Sequence, residues 1–104
     1  MHKLFAMNQF MVEVFLPGSL SQEYISLIPK QREYIDDMFS RGVISSYTLA
    51  MDRSKLWVTF SLQTVRDVKQ IMNDFPIADY VDYSIHQLAF SNSTSAIIPE
   101  ISLN

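Results

Sequence analysis

Cysteine is absent, which excludes disulfides, thiol catalysis and thiolate metal sites together. Glycine occurs only as Gly18 and Gly42, so there is no glycine-rich loop to hold a phosphate. His2 and His86 are the only histidines, and no spacing around them resembles a metal-ligand set. Basic residues are few and scattered: 8 Lys and Arg stand against 11 Asp and Glu, for a net charge of −3. With no basic stripe to neutralise phosphates, a nucleic-acid partner is not expected. Long apolar runs are lacking too. None approaches the roughly 20 residues that span a bilayer, and the run in Met1–Asn8 is too short for a signal peptide. These absences lead to the expectation of a soluble, cytoplasmic protein with no metal or membrane partner.

What is present suits one globular domain. Hydrophobic residues make up 48% of the 104 and charged ones 18%, enough to bury a single core. Gln9 to Leu16 alternates as a first strand, with Phe10, Val12, Val14 and Leu16 on one face and Met11, Glu13 and Phe15 on the other. Pro17-Gly18 ends it. Ser21 to Ser40 reads as one long helix, with Tyr24, Leu27, Ile28, Tyr34, Ile35, Met38 and Phe39 on one stripe. The stripe keeps its phase through Pro29, so the helix is expected to be kinked rather than broken there.

Val43 to Met51 is the second strand, and Asp52-Arg53-Ser54 a polar hairpin connection. Lys55 to Leu62 returns as the third strand, with Leu56, Val58, Phe60 and Leu62 alternating against Trp57, Thr59 and Ser61. Thr64 to Asp74 is a second helix, opened by Thr64 with Asp67 three residues on, an acidic variant of the capping box. After Pro76 a fourth strand sets Val81, Tyr83 and Ile85 on a core face and Tyr80, Asp82, Ser84 and His86 on the other. Residues 93–104 form a tail whose three isoleucines suit docking on a partner subunit.

The order strand–helix–strand–strand–helix–strand predicts the ferredoxin-like βαββαβ fold of the α+β class, two helices on one face of a four-stranded antiparallel sheet, over residues 1–92. The other sheet face, roughly 400 Å² for four strands of this length, is large for a partly apolar patch on a monomer. A second copy, sheet facing sheet, is the expected cover, so the chain is expected to be a homodimer or higher homo-oligomer.

Leu16-Pro17 after the first strand, the Pro76 turn, Tyr80-x-Asp82 and Leu88, with the element lengths between them, resemble the muconolactone isomerase-like proteins over about residues 8 to 92. The resemblance implies a dimeric α+β barrel enclosing pockets and a cofactor-free isomerase that shifts a proton within a small lactone. The chain departs from the family at Met11 and Phe15, where the isomerase carries basic residues.

Glu13 is the only charge inside the first strand and the leading candidate for general acid–base work. The blander reading is an exposed carboxylate, or one paired with Arg53. Asp82 and His86 share a face four residues apart; His86 suits proton transfer near neutral pH, or a solvated barrel mouth. Asp82 suits either catalysis or a structural hydrogen bond. Met11, Phe15, Trp57 and Tyr80 read as apolar walls for a ligand or for the dimer core, and Ser46 and Thr48 as hydroxyls within reach of a ligand oxygen. Arg53 reads as a surface turn residue, with an anion clamp as its alternative. Ser84, His86 and Asp82 on one strand face cannot adopt triad geometry.

Two classes of function follow. One is a cofactor-free enzyme, an isomerase or a cofactor-independent monooxygenase, acting on a small, partly apolar carbonyl compound or lactone. The other is a non-catalytic dimer that binds a small molecule, or a purely structural one with a filled interior.

Overall fold

The structure, a computed structural model, describes residues 7–90. The expected tail at 93–104 and its docking lie outside the described residues. Strand β1 (Asn8–Phe15) leads to helix α1 (Gln22–Ser40). Strands β2 (Ile44–Leu49) and β3 (Lys55–Leu62) form a hairpin, and helix α2 (Val65–Asn73) and strand β4 (Asp82–Leu88) complete the chain. The sheet order is β2-β3-β1-β4, antiparallel throughout. This is the ferredoxin-like α+β arrangement.

The core follows from the alternation in the two central strands. Phe10, Val12 and Val14 of β1 and Leu56, Val58 and Phe60 of β3 are buried beneath the helices, with Ile44, Tyr24, Ile35, Met38, Val68 and Met72. Each strand residue directed the other way faces away from the helices, because successive side chains leave a strand on opposite sides.

Local signals set the element ends. Ser21 caps α1, its hydroxyl accepting from the Tyr24 N–H at 3.1 Å. Thr64 and Asp67 make a reciprocal capping box on α2, satisfying two donors that a helix start would otherwise strand. Helix α1 runs unbroken through Pro29. Pro29 and Ile25, whose carbonyl loses its usual partner there, are both exposed, so water can replace the missing bond. Gly42 follows α1 at φ 79°, a left-handed backbone that glycine adopts without steric cost.

Three expectations need correction. Tyr80 does not belong to β4: it ends a 3-10 turn, Ala78–Tyr80, and its ring lies 5.7 Å from that of Tyr24. Phe39 leaves the core stripe and is half exposed, standing edge-on to Tyr47 with ring centres 5.7 Å apart. The second strand is shorter than Val43 to Met51, and its register shifts between Ile44 and Ser46. That bulge leaves Ile44 as its only buried residue.

Candidate functional site

The strand register brings most of the expected site onto the sheet face that no described helix covers. On β1, Met11 stands opposite Thr59 and His86, Glu13 opposite Trp57 and Ser84, and Phe15 opposite Lys55 and Asp82. Ser46 and Thr48 of β2 lie beside Thr59 and Trp57 on the same face. Directly opposed residues share a side of an antiparallel sheet. Of the nine expected site residues, eight are therefore on one surface, and only Tyr80 is not.

Glu13 sits at the centre, one pleat step along β4 from both Asp82 and His86. Its Oε2 lies 3.3 Å from the Lys55 ammonium; the expected partner Arg53 is not involved. The same ammonium stands 5.7 Å from the centre of the Phe15 ring. Both members of the pair keep some contact with solvent, so the pair contributes at most about 1 kcal/mol to stability. Under it, Thr59 is buried although it lies on the open face, and its hydroxyl donates to Met11 Sδ at 3.8 Å. His86 Nε2 lies 3.3 Å from Ser84 Oγ. No described group of three or more histidine and acidic side chains is arranged to hold a metal ion.

Lys55 was legible but missed. It lies two residues before Trp57 in the same strand, so alternation alone assigns it to the Trp57 face. It places an ammonium on the face where Met11 and Phe15 are apolar.

A cleft of about 480 Å³ opens elsewhere, on the helix side of the sheet along α1 from Tyr24 to Asp36. Leu16, Tyr24, Ile28, Ile35, Leu49 and Leu56 wall it. Gln31 also lines it, as a buried polar residue in a stripe that reads as apolar. Its position was available in the sequence, since it stands seven residues from both Tyr24 and Met38, two turns along the same face. At the rim, the Tyr47 hydroxyl donates to Asp36 Oδ1 at 3.1 Å. That hydrogen bond, then the charge of Asp36, raises the Tyr47 pKa above its usual 10.0. None of the nine expected site residues lines this cleft.

Compared with models of protein families and with curated proteins, the chain matches none. Among the described residues no helix is long and apolar enough to cross a membrane.

Proposed function

We propose that this chain is a cofactor-free homodimer that takes a small, partly apolar carbonyl compound or lactone onto its open sheet face and isomerises it by proton transfer. The observation that carries the reading is the carboxylate–ammonium pair of Glu13 and Lys55, 3.3 Å apart, on a floor of Met11, Phe15 and Trp57. The resemblance of residues 8 to 92 to muconolactone isomerase-like proteins supports the same reaction class. The lack of cysteine fits work in a reducing cytoplasm.

In this reading Glu13 takes the proton from the carbon next to the carbonyl. The freed electron pair moves onto the carbonyl oxygen, whose charge faces Lys55. Protonated Glu13 returns the proton at the far end of the conjugated system, or Asp82 or His86 beside it does so and then recovers the proton held by Glu13, so nothing is consumed. A solvent-exposed ion pair is weak enough for a substrate oxygen to enter beside it at little cost. A second sheet packed over the face would exclude water and strengthen each of these interactions.

The test covers the substrate class rather than one compound. A panel of small lactones and unsaturated ketones is incubated with the protein in D₂O, and loss of carbon-bound protons is followed by NMR. Enzyme-dependent exchange that disappears in Glu13→Gln, with the sedimenting species unchanged, is the expected result. Exchange that survives in Glu13→Gln removes that residue from the mechanism. Saturable binding without exchange leaves a non-catalytic binding dimer.

A further inference from the structure

Strand β2 forms one edge of the sheet, and it lacks the usual guards. Edge strands are ordinarily kept from pairing by charged side chains or proline. From Val43 to Met51 there is no charged residue, proline or glycine, whereas β4, the other edge, carries Asp82 and His86. Every residue of β2 after Ile44 is exposed, and two of them are large and apolar: Tyr47 at 42% and Leu49 at 43%. Phe39, packed on Tyr47, and Met51 just past the strand extend the exposed apolar surface. The bulge between Ile44 and Ser46 lies at one end and leaves Tyr47 to Leu49 in regular register.

The ladder to β3 fixes where the free backbone groups point. Ala50 N–H donates to the Lys55 carbonyl at 2.9 Å. Bonded and non-bonded pairs alternate along an antiparallel ladder, so Thr48 bonds to its partner Trp57. Tyr47 and Leu49, opposite Val58 and Leu56, therefore direct their N–H and C=O groups away from β3. An antiparallel strand laid along this edge meets two donors and two acceptors in line. The Tyr47 and Leu49 side chains stand on the helix side of the sheet, and Thr48 on the open face beside Trp57.

The strand is its own complement. A two-fold axis at Thr48 sets Tyr47 of each copy opposite Leu49 of the other as bonded pairs, and Thr48 opposite Thr48. Aromatic–aliphatic and Thr–Thr pairs are both favourable across strands. No charges meet along the paired stretch, and at each end Asp52 of one copy lies toward Arg41 of the other, of opposite sign. Six residues of edge run about 20 Å, and the sheet and helix layers together are about 20 Å deep, so the contact covers roughly 400 Å² on each copy. That is the low end of specific interfaces, where pairing depends on concentration. We infer that two copies of the chain pair through β2, edge to edge, into one eight-stranded sheet. The contact is separate from the sheet-on-sheet contact of the proposed homodimer and uses neither Glu13 nor Lys55. It joins the two open faces into one surface, so each copy adds its Thr48 to the margin of the other's site.

The experiment uses the full chain, whose lack of cysteine makes an introduced one unique. Residues opposed in a non-bonded antiparallel pair have Cα atoms about 4.5 Å apart, within disulfide range. Oxidised Thr48→Cys should therefore cross-link into a covalent dimer. Ser46→Cys should not, because in this register Ser46 faces Ala50 and the two Ser46 positions are about 14 Å apart along the strands. Leu49→Pro removes one outward N–H and leaves the bonds to β3 in place. It should weaken association in sedimentation equilibrium by about thirtyfold, one hydrogen bond being lost on each side of the axis. Leu49→Lys, which guards the edge with a charge, replaces it if the proline variant does not fold. Met11→Glu, on the open face, tests the sheet-on-sheet contact instead. A mass that falls with the Leu49 variants but not with Met11→Glu supports pairing through β2 and removes the sheet-on-sheet dimer; the reverse refutes pairing through β2 and keeps that dimer. No cross-link at Thr48, equal cross-linking at Ser46, or a mass indifferent to both Leu49 variants would overturn the inference and leave the edge to a strand of another protein.

Discussion

Replacing Arg53 by glycine should make the protein more stable. Arg53 closes the β2–β3 connection: its N–H donates to the Ala50 carbonyl at 2.9 Å, and Ala50 N–H in turn donates to Lys55 at 2.9 Å. Its φ of 64° is a left-handed conformation that costs a residue with a Cβ about 1–2 kcal/mol. Glycine removes that cost but adds about 0.5–1 kcal/mol of unfolded-chain entropy, leaving about 0–1.5 kcal/mol in its favour, about 0.75 kcal/mol at mid-range. The Arg53 side chain is exposed and unpaired among the described residues, so its loss subtracts little. For a domain of this size the gain corresponds to a melting temperature higher by about 2–8 °C. Thermal melts followed by circular dichroism, repeated in urea to check that the slope is unchanged, measure it. Arg53→Ala is the control, because it removes the guanidinium and keeps the strain. A glycine variant that melts at or below the parent temperature, or an alanine variant that gains as much, would refute the reasoning.

Two further outcomes test the local signals. Thr64→Ala should destabilise by about 1 kcal/mol through loss of the α2 cap, lowering the melting temperature by about 4–8 °C; an unchanged melt would mean that Asp67 alone holds the helix start. Asp52 accepts from the Ser54 hydroxyl at 2.7 Å and the Ser54 N–H at 3.0 Å, and these bonds hold its pKa below the usual 3.8. The folded value is the lower one, so the contribution to stability is fully present above pH 3.8 and is lost as pH falls through the folded value. A carboxyl-carbon NMR titration should show Asp52 moving back toward its usual pKa in Ser54→Ala.

The two central strands were legible because three alternate residues of each are buried on one face. In β1 and β3 a period of two is the only pattern that buries Phe10, Val12, Val14, Leu56, Val58 and Phe60 together. The edge strand β2 was less so: a bulge at Ser45 breaks its alternation, and a bulge leaves no hydrophobic signature of its own. Tyr80 fitted the alternation of β4 by residue type alone. What moves it is the 3-10 turn after Pro76 and its contact with Tyr24, a residue more than fifty positions earlier, which no local pattern records. Phe39 obeyed helical spacing, yet it is half exposed and packs edge-on against Tyr47 of the edge strand. The capping pairs, by contrast, were readable because their partners lie three residues apart.

The same reasoning explains why Arg53 is not the partner of Glu13. In an extended strand Arg53 and Lys55, two positions apart, would share a face, and either could reach Glu13. The left-handed backbone at Arg53 breaks that relation. Lys55 is already in the ladder opposite Phe15 and stays on the open face, whereas Arg53 is turned to the cleft on the helix side. Its neighbour Ser54 fixes the hairpin from its own carbonyl, which accepts from the Leu16 N–H at 2.9 Å. A change at Arg53 that leaves this bond and the Phe15–Lys55 pairing intact should therefore leave Lys55 beside Glu13. Loss of proton exchange in Arg53→Gly would mean that the hairpin couples the two faces, since the open-face site's own contacts would not account for it.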